Sequence, residues 1–323
     1  MNFRRLKSLI VARQPQRLMP AIGSATRPRY SRTRSQALWW GRDVAEVDPE
    51  LGPAVRFFAV IVFLVVLSGS LLLAAPGTLT PWWPWPIAPF GARFLGAVYL
   101  AEAVAVATLI VQNRWSPGRV VLVMAAAFTG MVSVASIIHV GELRWPGKRA
   151  ILWFALYEGY FVLSLLALWR YRNLPPAAPL ALSGSRKAIV MLTGSAFAAY
   201  AAAMFIAPQW AASFWPWPID AMHGRIYSGL FLSAGIGLIT VARGAAREEI
   251  RAVGLAATTL GVATVAGLFL AINATGKTGV LTPGAAVWIA LLLAYSLLGA
   301  ELVRVSRSSV SRSGTGELIP RST

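Results

Sequence analysis

Eight stretches of about 20 mainly apolar residues are the feature that most limits how this chain can fold. A helix of that length spans the roughly 30 Å hydrocarbon core of a bilayer. The stretches are rich in Ala, Leu, Val and Gly and lack the alternation of a membrane β-barrel. We therefore predict an all-α integral membrane protein with about eight transmembrane helices, covering residues 55–75, 91–112, 119–140, 151–171, 188–207, 224–242, 252–272 and 283–303.

The composition agrees with a membrane protein. Hydrophobic residues make up 57% of the chain and charged residues only 13%, whereas soluble domains carry about 25% charged residues. The chain contains no cysteine, which excludes disulfides, thiolate catalysis and cysteine-bound metal centres.

The net charge of +18 would suggest a nucleic-acid-binding protein if the basic residues were evenly spread. Instead, 24 of the 30 Lys and Arg residues lie in the amino-terminal arm, in alternate loops and in the carboxyl tail. By the positive-inside rule these segments are cytoplasmic. We predict a multi-pass protein of the cell membrane, of the bacterial cytoplasmic type, with both termini in the cytoplasm.

The pentapeptide WPWPI occurs twice, at 83–87 and at 215–219. At the same interval of 132 residues Arg93 matches Arg225 and Arg119 matches Arg251, which indicates an internal duplication. Each unit contains four crossings, an even number, so both units enter the membrane from the same side and form a parallel repeat.

The repeat divides the chain into five segments. We predict a basic disordered cytoplasmic arm, a first four-helix repeat, a cytoplasmic linker, a second four-helix repeat and a disordered cytoplasmic tail, at 1–54, 55–172, 173–187, 188–304 and 305–323. The arm favours contact with anionic lipid. A transit peptide and a nucleic-acid-binding segment are the alternatives; no aromatic interleaving supports the latter, so nucleic acid is not an expected partner.

The two aromatic tracts contain Trp83, Trp85, Trp215 and Trp217. Proline keeps such a tract extended, and tryptophan prefers the membrane–water boundary. We predict an interfacial belt that sets the depth of the following helices. A lid over a cavity between the two repeats is the alternative.

Ionisable residues inside the predicted crossings are candidate functional residues, because a charge in hydrocarbon is costly unless it is paired, hydrated or neutralised. Glu102 lies near the middle of the second crossing, and Glu158 lies roughly two turns into the fourth, where Tyr160 offers a hydroxyl. We predict that these three residues form an intramembrane polar or proton-linked site.

A further set of polar residues falls at the outer ends of the crossings. We predict that it forms an outer vestibule, consisting of Arg93, His139, Glu142, Asp220, His223 and Arg225. No helical spacing of metal ligands such as HExxH is present, so we predict neither a metal nor a cofactor.

Three functions fit this pattern. The first is a carrier or channel for a small solute, with a protonatable carboxylate in the first repeat. The second is a non-catalytic subunit or scaffold that binds other membrane proteins. The third is an intramembrane lipid-modifying enzyme, although no catalytic motif is present and we do not expect an enzyme.

Overall fold

The computed structural model describes residues 48–143, 145–174 and 177–313, with side chains as far as 307. Within these ranges the chain is helical and forms no β-strand. Eight helices, α1 to α8, are long and apolar enough to cross a membrane, which confirms the all-α, multi-pass prediction. Their bounds are Pro53–Gly69 continued by Leu71–Ala74 (α1), Pro89–Gln112 (α2), Trp115–Ile138 (α3), Lys148–Tyr171 (α4), Gly184–Ile206 (α5), Ala221–Gly244 (α6), Arg247–Thr275 (α7) and Pro283–Ser313 (α8).

The segment boundaries can be compared with the predicted ones only in part. Residues 1–47 of the predicted arm and 314–323 of the predicted tail lie outside the described residues. Helix α5 begins at Gly184, inside the predicted linker, and α8 continues to Ser313, past the predicted end of the second repeat at 304.

The helix ends follow from local sequence. Proline begins α1 and α2, where its missing N–H has no partner to lose. Asn113 ends α2 and Gly276 ends α7, both in the left-handed conformation (φ 48° and 67°) that terminates helices. Asp220 caps α6, because its carboxylate accepts a hydrogen bond from the backbone N–H of His223 over 2.8 Å.

Four helices form the centre of the bundle. We call α1–α4 the first half and α5–α8 the second half. Helix α2 packs against α7, α3 packs against α6, and α3 also contacts α7, so the two halves meet mainly through these four helices. Helices α1, α4, α5 and α8 lie outside them, packed on α2, α3, α6 and α7 respectively.

The outer helices present apolar side chains to the surroundings. Phe57 and Leu64 of α1 and Leu152 and Leu166 of α4 are all more than half exposed. An exposed surface of this composition is the one a lipid-facing helix requires.

The bundle has two ends, which we name by what they carry. The upper face carries both tryptophan tracts, and α2, α4, α6 and α8 begin there. The lower face is the opposite end, where α1, α3, α5 and α7 begin. At the lower face an extended residue before α1 or α5 pairs with the loop between two inner helices, Glu50 with Arg114 and Pro179 with Ala246.

Candidate functional site

An interior cavity of about 60 Å³ lies at the centre of the bundle. Side chains from α2, α3, α4, α6, α7 and α8 line it, so both halves contribute to its wall. Four lining residues carry a polar group: Glu102, Tyr160, Ser233 and Tyr295. We call this space the central cavity.

The four polar residues lie at one depth. Each is 12 or 13 residues from the first residue of its helix, and α2, α4, α6 and α8 all begin at the upper face. At 1.5 Å per residue they lie roughly 18–20 Å from that end, near the middle of a bilayer about 30 Å thick.

None of these four side chains makes a hydrogen bond with another described residue. Ser233 is 8% exposed and Tyr295 is 5% exposed, and the Ser233 hydroxyl is fully enclosed. Unpaired polar groups in a protein interior are costly. A cavity of this volume holds a few water molecules or one small polar group, either of which would satisfy them.

A second and larger cavity of about 200 Å³ adjoins the first. Its wall is apolar and aromatic, and the rings belong to Phe94, Phe197, Tyr200, Phe214, Trp215, Phe231, Trp288 and Tyr295. We call it the aromatic cavity. Its Tyr200 and Trp215 are bonded to each other, since the indole N–H donates to the Tyr200 hydroxyl over 2.8 Å.

The two cavities share part of their walls. Leu230, Ala234, Leu260 and Tyr295 line both. A third space of about 10 Å³ lies below the central cavity, against α1, and shares Val106, Val121 and Tyr160 with it. The interior spaces therefore form a row that passes Glu102.

At the upper face the predicted vestibule residues form hydrogen-bonded groups that join the two halves. In the first group, Arg225 of α6 donates from Nη1 to Nε2 of His139, which follows α3, over 2.7 Å. The Nδ1 atom of His139 lies 2.7 Å from Glu142. Since arginine only donates, His139 accepts at Nε2 and donates its Nδ1 proton to Glu142.

In the second group the donor lies in the first half and the histidine lies in the second half. Trp85 of the first half donates from its indole N–H to Nε2 of His223 on α6, over 2.9 Å. The Nδ1 atom of His223 lies 2.7 Å from a carboxylate oxygen of Asp220. Burial would raise the pKa of Asp220, but the hydrogen bonds from the His223 side chain and backbone outweigh it and lower the pKa.

Arg93, the remaining vestibule residue, stands apart from both groups. It is 8% exposed, and its Nε atom is buried with no hydrogen-bond partner among the described residues. It lies on α2 close to Gly267 of α7. The structure therefore brings five of the six vestibule residues into two groups. No three His, Asp or Glu side chains of the described residues come together as metal ligands would.

The tryptophan tracts pack into the protein. Trp85, Trp215 and Trp217 are at most 7% exposed, and each tract packs on a tryptophan of an outer helix. Trp85 meets Trp153 of α4 with ring centroids 4.8 Å apart, and Trp217 meets Trp288 of α8 at 5.3 Å. The indole N–H of Trp83 is buried and has no hydrogen-bond partner in the part of the chain that the structure describes. Trp82, next to the first tract, is 72% exposed.

Glu158 does not line any of the three cavities described above. Its Oε1 atom is buried without a hydrogen-bond partner among the described residues, while the neighbouring Tyr157 hydroxyl bonds to that of Tyr99 over 2.8 Å. Of the predicted intramembrane set, Glu102 and Tyr160 lie together at the central cavity and Glu158 lies elsewhere.

At the lower face an ion pair joins the halves. Arg119 of α3 binds Glu249 of α7 at two points, 2.7 Å from Nε to Oε1 and 2.9 Å from Nη2 to Oε2. The Glu249 side chain is fully buried. Its Oε2 atom also accepts a hydrogen bond from the backbone N–H of Ala246, the residue before α7. Both oxygens of this carboxylate are therefore hydrogen-bonded.

A second carboxylate at the lower face lies outside the helices. Asp48 accepts a hydrogen bond from the backbone N–H of Ser116 over 2.8 Å. Partial burial raises the pKa of Asp48, and the Ser116 hydrogen bond and the charge of Arg114 reduce that rise without cancelling it.

Sequence reasoning missed Ser233, Tyr295 and the aromatic cavity. One signal was present: Tyr295 follows Tyr160 by the same interval that separates Trp288 from Trp153. The link between Trp85 and His223 had no signal in the sequence, because the two residues lie in different halves.

Comparison with protein-family models, curated proteins and solved structures gave no match.

Proposed function

We propose that this protein is a proton-linked carrier of a small solute and that Glu102 is its coupling group. The observation that carries this proposal is the position of Glu102. Its carboxyl lines a cavity at mid-depth, beside three hydroxyl groups that have no partner among the described residues, and no described Lys or Arg side chain lines that cavity. A carboxylate at the bilayer centre costs about 3 kcal/mol on insertion scales. Either a proton or a bound solute would remove that cost. Because Glu102 would bind the two in turn, movement of the solute would be coupled to movement of protons down their gradient.

The internal repeat supports this proposal. We propose that the halves arose by duplication and are related by an axis along the membrane normal, as in carriers built from parallel repeats. Rotation about such an axis would exchange α2 with α6 and α7 with α3. The packing of α2 on α7 would then coincide with the packing of α6 on α3, and both contacts are present. The lower-face pairings of Glu50 with Arg114 and of Pro179 with Ala246 also match, since Arg114 and Ala246 are equivalent at the repeat interval.

The cross-half contacts suggest two gates. Alternating access requires the halves to separate at one face while they stay together at the other. The Arg119–Glu249 pair would close the lower face. The bonds from Arg225 to His139 and from Trp85 to His223 would close the upper face. The described conformation has all three contacts in place, which corresponds to an occluded state.

For orientation we propose that the lower face is cytoplasmic and that the membrane is the bacterial cytoplasmic membrane. The support is the excess of Lys and Arg in the segments that reach this face. Protons driven inward would then reach Glu102 from the upper face.

The proposal can be tested without knowing the solute. Purified protein is reconstituted in liposomes on a solid-supported membrane, and the charge movement after a step in pH is recorded. Wild type should give a transient current as Glu102 binds or releases its proton. Glu102→Gln should abolish it, because the amide does not titrate, while Glu158→Gln, the matched change outside the cavity, should retain it.

Two results would count against the proposal. Equal currents from wild type and Glu102→Gln would remove Glu102 as the coupling group. Continuous equilibration of the internal pH of the same liposomes after the pH step, in the absence of added solute, would indicate a channel, since a carrier whose gates close in turn offers no continuous path.

A further inference from the structure

We infer that the central and aromatic cavities together bind one ligand, an amphipathic organic cation, with its positive group beside Glu102 and its apolar group in the aromatic cavity. This inference rests on the proposed function, because it names the solute class of the same site.

The charge of the ligand follows from the lining of the central cavity. Glu102 is the one residue among its described lining that can carry a full charge at neutral pH. An anion would be repelled by the carboxylate, and a neutral solute would leave the carboxylate uncompensated. A cation neutralises it, and the hydroxyl oxygens of Tyr160, Ser233 and Tyr295 add negative partial charge that attracts a positive group. The rings of Phe128 and Tyr160, which also line the cavity, attract a cation through their π faces.

The apolar part of the ligand follows from the aromatic cavity. Its volume of about 200 Å³ exceeds the roughly 150 Å³ of an apolar cavity that binds benzene. The N–H of Trp215 donates its hydrogen bond to the hydroxyl of Tyr200. This bond occupies the two polar groups, so they do not favour a polar ligand. The site therefore favours a hydrocarbon ring or a short branched chain.

The two cavities share a wall that is formed by Leu230, Ala234, Leu260 and Tyr295. Ala234, which lines both, contributes a single methyl group to the shared wall. Tyr295 also stands at this boundary, and its hydroxyl has no partner among the described residues. A ligand that spans the shared wall beside the small Ala234 side chain would place its charged group in the central cavity and its apolar group in the aromatic cavity.

The aromatic cavity lies directly behind the lipid-facing surface. Ala196 of α5 and Leu291 of α8 line it and are also exposed on the outside of the bundle. A molecule already dissolved in the bilayer can reach the cavity between these two helices. Amphipathic cations concentrate at membrane surfaces, which fits this route.

A cation and a proton compete for the same carboxylate, so the affinity for the ligand should increase as pH rises. The groups of the central cavity that can titrate are Glu102, Tyr160 and Tyr295. The charged side chains elsewhere on the helices around it do not line it; they include Arg93 on α2, Arg119 on α3, Glu158 on α4, Arg225 on α6, Glu249 on α7 and Glu301 on α8. Arg119 and Glu249 neutralise each other.

The test is equilibrium binding of benzyltrimethylammonium to the purified full-length protein in detergent, measured by calorimetry. Tetramethylammonium lacks the ring, and neopentylbenzene has the same shape without the charge. Wild type should bind benzyltrimethylammonium at least tenfold more tightly than either, and more tightly at pH 8 than at pH 5.

Two pairs of variants assign the binding to the cavities. Glu102→Gln should weaken binding of benzyltrimethylammonium at least tenfold, whereas Glu158→Gln should leave it unchanged. Ala196→Phe should fill the aromatic cavity and weaken binding by a similar factor. Ala199→Phe is its matched control, because Ala199 is exposed on the same helix and lines neither cavity.

The outcomes separate this inference from the proposed function. Equal binding of the charged compound and its neutral isostere, or binding unaffected by both Glu102→Gln and Ala196→Phe, would overturn the ligand class, as would absence of binding. If the Glu102-dependent current is present in that case, the carrier proposal stands and only the ligand class fails. If benzyltrimethylammonium binds as expected but the current is absent, the ligand class stands and the carrier proposal fails.

Discussion

Arg225 of the second half donates a hydrogen bond from Nη1 to Nε2 of His139 in the first half, over 2.7 Å. Its Nε atom donates to the backbone carbonyl of Phe205 at the end of α5, over 3.1 Å. Arg93, which precedes Arg225 by 132 residues, has no such bond among the described residues, and the residue 132 positions after His139 is Ala271. Of these two arginines, only Arg225 thus forms a hydrogen bond between the halves in the part of the chain that the structure describes.

The Arg225–His139 contact should be measurable as a coupling energy. We expect His139→Ala to lower the free energy of unfolding by about 1.5–3 kcal/mol, because a charge-assisted hydrogen bond is lost. In a double-mutant cycle with Arg225→Ala the two effects should be coupled by at least about 0.5 kcal/mol. Denaturant unfolding in detergent micelles measures all three variants.

Arg93 provides the control for that cycle. Since Arg93 and His139 share no described contact, the effects of Arg93→Ala and His139→Ala should add to within about 0.5 kcal/mol. Additive effects for Arg225→Ala and His139→Ala as well would show that the upper-face bond contributes nothing to holding the halves together.

The lower-face ion pair should contribute far more to stability than a surface pair of the same chemistry. Arg119→Ala leaves the fully buried Glu249 side chain without its counter-charge, so we expect a loss of about 3–5 kcal/mol. Arg186 and Glu301 form the matched pair, at 3.0 Å with both side chains at least a third exposed. Arg186→Ala should therefore cost less than about 1 kcal/mol.

Thermal unfolding of the two arginine variants in the same detergent compares these losses. Equal shifts in Tm would mean that burial of Glu249 adds nothing to the strength of the Arg119 pair. That result would also weaken the assignment of this pair as a gate.

Asp220 and Asp48 should give the stability opposite dependences on pH. The pKa of Asp220 is lowered from 3.8 in the folded protein, so its stabilising contribution is present above pH 3.8 and is lost as pH falls through the lowered pKa. The pKa of Asp48 is raised from 3.8, so its contribution is present below pH 3.8 and is lost as pH rises through the raised pKa.

Asparagine at either position keeps a side-chain acceptor but removes the titration. Between pH 3 and 6, Asp220→Asn should lose stability relative to wild type as pH rises, whereas Asp48→Asn should gain it. The test compares the melting temperatures of the two variants with that of the wild type across one buffer series. Two variants that change in the same direction with pH would contradict the assignment.

The helices were predictable because a crossing depends on length and apolarity, which are local properties of the sequence. Seven of the eight predicted crossings begin two to five residues later than the observed helices, and the eighth ends at 303, ten residues before the observed end of α8 at Ser313. Helix α7 begins at Arg247, five residues before the predicted crossing, since its charged first turn extends below the apolar stretch. Asp220 likewise starts α6 earlier through its cap.

The site was predictable only where a residue stands out within its own helix. Glu102 does so, because a carboxyl in an apolar stretch is costly wherever it faces. Ser233 and Tyr295 do not, since both residue types are common in membrane helices and their role depends on which helices meet. The contact of Trp85 with His223 requires the packing of one half on the other, which no local pattern specifies.

The close approach of α5 and α6 supplies a last prediction. Gly194 and Gly235 face each other across this crossing: a Cβ atom on Gly235 would lie 2.8 Å from the carbonyl oxygen of Gly194 and 2.9 Å from the backbone nitrogen of Ala198. Backbone atoms cannot move aside cheaply, so Gly235→Ala must push the helices apart, at a cost of about 1–3 kcal/mol. Gly159 on α4 is the matched control, because a Cβ there would meet nothing within 4 Å. Gly159→Ala should be neutral or stabilising by up to about 1 kcal/mol, since alanine favours the helix. The free energy of unfolding in detergent should therefore fall for Gly235→Ala and stay unchanged or rise for Gly159→Ala. A Gly235→Ala variant with wild-type stability would show that the crossing of α5 and α6 tolerates a wider separation than the one described.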